Sequence, residues 1–458
     1  MKKHSRPLAL LLALILVFAI ASCSTPEPPE VTTEESGAST SAPETTTIIT
    51  EAETTEEVTT DEPTDTEELT SPPETEPPVK KDTLKIIMQT GVGEAMLSGL
   101  AEEKYASVLD AREKALLYSH SAAIELSRTD DLVSKIKNVA LTSSSSFDLI
   151  LTDPAIGGEL MRSGLLEDLS GAGISIDALP GTLAGITESL SLGGRTYLFA
   201  STALTSDITS AYAVKYNGAA LSSDPVAKAA SGEFTVELML TYIAESKSGD
   251  TLSLGSSSPL TLYSGVGGRV FIRDDKGMPA SALLDSVAFK LAYGKALKLY
   301  IAASAKDSVF TVGKLSPLPA GEVWLPLPRA SADAEYVTPV DAKSLSLFAA
   351  PAGVVSGKRL SGLVDALNSH SGDYRAAIEG NITQNGGAKA AEMLGVILPE
   401  ASLDLGILLG WGDIDTLIED AITSQTAPDT LLSDRMTLMR NEAVDAAAKI
   451  IAERLGIK

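Results

Sequence analysis

Seven side chains have the chemistry to hold a polar solute. Trp324 and Trp411 offer indole faces that can lie against an apolar ring surface, and Tyr197, Tyr212 and Tyr263 combine a ring with a hydroxyl. Thr90 and Asp153 can exchange hydrogen bonds with solute hydroxyl groups. Each has a plain structural reading beside it. A lone Trp is mostly buried, a Tyr in a β-rich run packs, and Asp before Pro opens a turn. Catalytic chemistry is harder to find. No Gly-x-Ser-x-Gly and no His-Glu-x-x-His is present, and Asp274 with Asp275 sits in the turn-like run RDDKG. No catalytic residue is expected, and the chain reads as a non-enzyme.

Metal and cofactor chemistry are equally thin. Three histidines and one cysteine limit zinc sites, and His120 and His370 stand among serines at predicted element ends. The acidic run Asp413, Asp415, Glu419, Asp420 has Ile418 where a calcium loop needs glycine, so a solvated helix face is the simpler reading. The glycines of GVGEAM and GVGGRV complete no dinucleotide fingerprint. No metal and no cofactor is expected. The formal charge of −25 also argues against nucleic acid as a partner.

The elements that must position the candidates alternate between strand and helix. LKIIM, Leu84 to Met88, reads as a buried strand, and a helical stretch follows to about Ser119. AAIELS at 122–127 reads as a second strand. Thr129 is the candidate cap of the next helix, whose apolar face is Leu132, Ile136, Val139 and Ala140. FDLILT at 147–152 is a third strand, stopped by Asp153 and Pro154. This order predicts a largely parallel sheet with helices on both faces, and ligands bind at the carboxyl ends of such strands, near Thr90 and Asp153. RTYLFA at 195–200 and SAYAVKY at 210–216 are candidate strands connecting two lobes. Helices over 235–246 and 286–304 suit a second lobe. VWLPLP at 323–328 and SLSLFAAP at 344–351 read as return strands, with helices to the end.

The first 82 residues do other work. Lys2, Lys3 and Arg6 precede fourteen apolar or small residues, Leu8 to Ala21. At about 1.5 Å rise that run covers about 21 Å of a roughly 30 Å hydrocarbon slab, so it reads as a removable secretory signal. Ile20, Ala21, Ser22 and Cys23 look like the cleavage box of bacterial lipoproteins, in which the cysteine is acylated; a small buried thiol is the alternative. Residues 24–79 hold 16 acidic and no basic side chains among Thr, Ser and Pro, a composition that cannot form a core and reads as a tether. Residues 80–458 carry 33 basic and 45 acidic side chains, a net of −12.

The order of segments over most of residues 83–458 resembles the extracellular solute-binding proteins of bacterial ABC importers, in particular the large carbohydrate-type lipoproteins. The carriers are DDLVSKIKN to FDLILTDP, then GLLEDLS, GGRTYLFA with AYAVKYN, FTVELMLTYIAES and VWLPLP. Residues 390–422 look like the C-terminal signature of one branch, with Leu409, Gly410, Trp411, Gly412, Asp413 and Ile414 where that branch has Tyr-Asn-Trp-Gly-Gly-Ile. Upstream of it relatives are rich in tyrosine, and here only Tyr374 stands.

The resemblance implies an α/β, two-lobed periplasmic-binding-protein-like fold with a hinge and an interlobe cleft. The expected division is signal 1–22, lipidated Cys23 and tether 23–82, first lobe 83–205, second lobe 206–325, and a return to the first lobe with C-terminal helices over 326–458. The implied function is capture of a small solute, a sugar or oligosaccharide, by a monomer. Its partners would be a lipid anchor on the extracellular face of the bacterial cytoplasmic membrane and an ABC permease. A surface sensor or scaffold with the same fold is the second reading, and a glycan hydrolase the third. Aromatic residues make up 5% of the chain, which weighs against the sugar in particular.

Overall fold

A computed structural model describes residues 82–90, 92, 106–142, 146–171, 183–217, 221, 223–246, 251–304, 308–353, 357–368 and 371–457. All of them lie in one unit, Thr75–Lys458. The signal, Cys23 and the tether lie outside the described residues, as does His370.

The first sheet is built around β1 (Asp82–Gln89), whose Leu84, Ile86, Ile87 and Met88 are all buried. A strand covered on both faces needs such an unbroken apolar run. β2 (Ala122–Thr129) and β3 (Leu149–Thr152) flank β1 in parallel, with Asp82 opposite Ala122 and Ile86 opposite Leu149. β12 (Leu347–Ala349) then runs antiparallel to both β3 and β4 (Leu198–Phe199), giving the order β2-β1-β3-β12-β4. The expected parallel sheet is therefore mixed, because the late return strand enters against its neighbours. β4 is shorter than the expected RTYLFA strand, because the Thr196 carbonyl accepts from the Leu169 N–H and the Ala200 N–H donates to the Thr187 hydroxyl, outside the ladder.

Alternation sorts the strand side chains between two cores. Ile87 and Ile150 join the larger apolar cluster, while Ile86, Leu149 and Leu151 join a smaller one with Phe199 and Phe348 on the other face. The helix Leu132–Thr142 buries Leu132, Ile136 and Val139 as its spacing requires. Its cap is Asp131, whose Oδ1 accepts the Ser134 N–H at 2.9 Å, rather than Thr129. Thr129 is held in the β1–β2 ladder opposite Gln89 and cannot turn into the helix. At the end of β3, Asp153 accepts the Ile156 N–H at 2.9 Å and Pro154 fills the first turn of the helix Pro154–Arg162.

The second sheet centres on β5 (Tyr212–Asn217), antiparallel to both β9 (Ser308–Lys314) and β10 (Glu322–Leu325). β6 (Thr251–Ser253) pairs in parallel with the far edge of β9, and the order is β10-β5-β9-β6. The helices Val236–Glu245 and Ser286–Ala302 belong to this half. Two small ribbons complete the strands, β7 (Phe271–Arg273) with β8 (Pro279–Ser281) and β11 (Thr338–Pro339) with β13 (Ala401–Ser402).

The chain crosses between the sheets twice, over 200–211 from β4 to β5 and over 326–346 from β10 back to β12. Of VWLPLP, Val323, Trp324 and Leu325 thus belong to the second sheet, and the return begins at the Pro326 that follows them. The larger apolar cluster is continuous from Ile150 through Ile208, Ala211, Val340 and Leu345 to Val214 and Phe310. C-terminal helices serve both halves: Gly357–Asn368 and Gly372–Thr383 pack on the helix Ala106–His120, Gly387–Ile397 on β10, and Ile414–Thr423 on the helix Ser286–Ala302. Among the described residues no helix is long and apolar enough to cross a membrane.

Candidate functional site at the crossing of the two sheets

Where the chain crosses, three segments converge. β5 begins at Tyr212, β9 ends opposite it at Lys314, and the returning chain bridges Ala211 with Val340. The next residue, Asp341, donates its backbone N–H to the Ser210 carbonyl at 2.8 Å. Its carboxylate then collects three donors: Lys314 Nζ at 2.8 Å and the Ser344 hydroxyl at 2.7 Å on Oδ2, and the Lys343 N–H at 3.1 Å on Oδ1. Lys314 Nζ also reaches Ser344 Oγ at 3.0 Å. Burial pushes the Asp341 carboxyl up, but these hydrogen bonds and the lysine charge outweigh it and hold it below the usual aspartate range.

Beside this network lies a cavity of about 480 Å³. Tyr212, Lys314, Asp341 and Lys343 line it, together with Ser256 and Ser264, flanking and within the helix Pro259–Gly265. Its size is within the range of small-molecule sites, and hydroxyls with a few charges over apolar walls suit a polar solute. Tyr212 is half-buried, and its hydroxyl has no hydrogen-bond partner among the described residues. Burial first, and the Asp341 charge second, raise its pKa, so it enters the cavity as a protonated donor. Ser210, fully buried next to the bridge, has a hydroxyl with no partner among the described residues.

Two other cavities are present. One, of about 380 Å³, lies at the edge of the second sheet around Asp224, Glu322 and Lys389. The other, of about 520 Å³, lies beside the Asp207–Arg375 ion pair and the helices Gly372–Thr383 and Gly387–Ile397. Neither contains a residue singled out from the sequence.

Of the seven sequence candidates, Tyr212 is the one that lines any of these three cavities. Thr90 and Asp153 do stand at the carboxyl ends of β1 and β3, where Thr90 donates its N–H to Thr129 and Asp153 caps a helix. The other four are core residues. Tyr263 lies inside the helix Pro259–Gly265, just before a Gly-rich turn, and is 1% exposed, with its hydroxyl donating to the Arg269 carbonyl at 2.8 Å. Trp324 is 6% exposed and its indole N–H donates to the Ser316 carbonyl at 2.8 Å. Trp411 packs its ring on Phe271 with centroids 6.0 Å apart, and Tyr197 is buried beside Arg195. The aromatic residues were needed for packing, and their type alone does not distinguish that use.

Sequence reasoning missed Lys314, Asp341, Lys343, Ser256 and Ser264. One local signal existed: in TPVDAKS, Asp followed two residues later by an N–H it can accept is an Asx-type turn. Nothing local pairs Asp341 with Lys314. Elsewhere Asp274 closes a turn through the Lys276 and Met278 N–H groups. Among the described residues no group of three or more His, Cys, Asp or Glu could hold a metal.

The fold can be compared with known structures. The sugar-binding protein MalE from the phytopathogen Xanthomonas citri superposes with a TM-score of 0.50 at 12% identity, over 82% of this chain and 99% of that one. The chain has the two-lobed, periplasmic-binding-protein-like fold. Similar structures also include the cyclic alpha-maltosyl-1,6-maltose binding protein from Arthrobacter globiformis, with a TM-score of 0.49 and 14% identity over 81% of this chain and 99% of that one. The galacto-N-biose/lacto-N-biose I-binding protein of Bifidobacterium longum gives a TM-score of 0.48 and 11% identity over 83% and 98%. No family model matches the chain. No curated protein matches it either. In the binding-protein fold two α/β lobes are joined by crossing segments; here the chain crosses over 200–211 and 326–346, and Pro339–Lys343 of the second crossing line the Tyr212–Asp341 cavity.

Proposed function

We propose that the protein is a membrane-anchored extracellular solute-binding protein that captures a sugar or oligosaccharide and delivers it to an ABC permease. The observation that carries this reading is the cavity at the lobe crossing, lined by the adjoining ends of β5 and β9, by the helix Pro259–Gly265 and by the returning chain. A solute seated there touches the segments about which the lobes turn, so its contacts differ between open and closed forms. A ligand shifts such an equilibrium only by that difference. The likeness to MalE, a sugar-binding protein, supports the solute class.

The anchor rests on the sequence. Cys23 follows the apolar run Leu8–Ala21, and a multiply acylated terminus of the lipoprotein type would hold the tether and the lobes at the outer membrane face. We assign the first lobe to 83–205 and the second to 206–325, with the remainder shared. Tyr212 is the solute contact we retain in this cavity, and Thr90 and Asp153 face the same solute only if closure brings the strand ends to it.

The test is a thermal-stability screen with sugars, oligosaccharides, peptides and polyamines, followed by small-angle scattering with any hit. A bound solute at a hundredfold excess over Kd adds about 2.7 kcal/mol to the folded state and should compact the particle without being turned over. A hit that is hydrolysed, or stabilisation by peptides alone, would overturn the sugar-capture reading. Scattering unchanged by every stabilising solute would favour a surface scaffold.

A further inference from the structure

The charges around the crossing cavity are uneven, and their pairing narrows the solute. Two lysines, Lys314 and Lys343, and one carboxylate, Asp341, line it. That local excess of positive charge stands inside a folded part whose net charge is −12. Asp341 is already occupied by the Lys314 ammonium, the Ser344 hydroxyl and the Lys343 N–H, so little acceptor capacity remains for a solute hydroxyl. Lys314 in turn spends two donors on Asp341 and Ser344. Lys343 is different. Its ammonium forms no ion pair among the described residues, although it borders the cavity. Tyr212 adds a hydroxyl with no partner among the described residues, and its phenol is held in the donor form. Glu419 is engaged by Ser258, which lines the cavity, and burial pushes its carboxyl up. The cavity therefore offers an uncommitted ammonium without an uncommitted carboxylate to balance it, its serine and threonine hydroxyls can donate or accept, and it has a single aromatic ring to lie against a sugar face.

We infer that the solute is an anionic sugar whose charged group is met by Lys343, with Tyr212 donating to the same or an adjacent oxygen. A charge-assisted hydrogen bond is about twice as strong as a neutral one, so the anion compensates for the missing aromatic platform. This inference rests on the proposed sugar-capture function and specifies its substrate class. The shared chemistry is an anionic oxygen group on a pyranose, either a carboxylate or a phosphate monoester.

The experiment is isothermal titration of the purified protein with glucuronate, galacturonate and digalacturonate, with glucose, galactose and maltose as neutral counterparts, and with glucose 6-phosphate and galactose 6-phosphate as the second anionic source. We expect one anionic set to bind about tenfold or more tighter than its neutral counterparts. That margin should shrink as salt rises, vanish in Lys343→Gln, and persist in Lys343→Arg. The melting temperature of Lys343→Gln without sugar should match the parent, since the side chain is exposed. Whether the uronates or the 6-phosphates win identifies the source of the charge. Neutral sugars binding as tightly as both anionic sets, or a preference that survives Lys343→Gln, would overturn the anionic assignment and leave sugar capture standing. Failure of every sugar, neutral and charged, would overturn both.

Discussion

Asp207 and Arg375 stand 168 residues apart in the chain and meet through two parallel hydrogen bonds of 2.7 and 2.8 Å. Their side chains are 6% and 12% exposed. Arg375 Nη1 also donates to the Leu204 carbonyl at 2.8 Å. Asp207 belongs to the first crossing segment and Arg375 to the helix Gly372–Thr383, so the pair fixes the crossing to the C-terminal helices. Removing one partner strands a buried charge. Asp207→Ala should lower stability by about 3–5 kcal/mol, while the paired change Asp207→Leu with Arg375→Met should cost much less. Urea unfolding of the two variants checks this, and a loss below about 1 kcal/mol in Asp207→Ala would show that the pair is solvated.

Asp404 plays a comparable part between the second lobe and the late signature. Its carboxylate accepts the Val270 N–H at 2.8 Å, the Phe271 N–H at 3.3 Å and the Gly406 N–H at 2.6 Å. Gly406 has no room for a Cβ against Val270, so the backbone approaches there closely. Burial pushes the Asp404 carboxyl up, opposed by the three N–H groups and Arg269. Asp404→Asn should be almost as damaging as Asp404→Ala, at about 3 kcal/mol or more, because the amide turns one acceptor into a donor facing an N–H. Denaturant midpoints for the two variants decide it: an Asn variant as stable as the parent contradicts the acceptor role.

The legible parts of this chain are those whose physics is local. LKIIM reads as a doubly covered strand because every one of its apolar positions is buried, and Asp153-Pro154 reads as a strand end because both residues suit a helix start. The helix face Leu132, Ile136 and Val139 follows from period alone. Its cap was misplaced by two residues because Thr129 and Asp131 are both good caps, and the β1–β2 register made the choice. The site was legible only at Tyr212. Lys314 and Asp341 are 27 residues apart, on a strand end and a return segment, and only the crossing brings them together. Trp324, Trp411 and Tyr263 have the residue types of a sugar site, but the same types supply packing in a chain with few aromatics.

The Lys314–Asp341 contact carries a pH dependence of definite sign. Asp341 titrates below its ordinary value in the folded state, so in acid the unfolded chain binds the proton first. Its contribution is complete above the ordinary aspartate value of about 3.9 and is lost as pH falls through the lower folded value. Asp341→Asn should therefore flatten the fall in urea midpoint between about pH 4 and pH 2, and at pH 7 cost on the order of 1 kcal/mol, since Lys314 is partly exposed. Midpoints measured across that range for parent and variant provide the check. An identical acid slope in both would remove Asp341 from the account.

Ser210 should respond in the opposite direction to most buried positions. The residue is fully buried and its hydroxyl has no partner among the described residues, so the native state bears a desolvation cost without a hydrogen bond. Ser210→Ala removes the orphan group and one small atom, and should raise stability by up to about 1 kcal/mol. A calorimetric melting temperature rising by a few degrees agrees with this. A loss of more than about 1 kcal/mol would mean that the hydroxyl is satisfied, as by a buried water.

Tyr212 is the sequence candidate that lines the crossing cavity, and the two functions proposed for it there can be separated. Its ring supplies the aromatic face of the cavity lining, and its hydroxyl is free to donate. Truncation to Ala removes both, whereas Phe keeps the ring. With the best-stabilising sugar of the screen as probe, Tyr212→Ala should weaken binding about tenfold or more, and Tyr212→Phe by a smaller factor set by one hydrogen bond of about 0.5–1.5 kcal/mol. Unfolding without sugar should be affected less by Phe than by Ala, because β5 retains its packing with the ring in place. Titration of both variants separates ring from hydroxyl, and unchanged affinity in Tyr212→Ala would place the solute away from the lobe crossing.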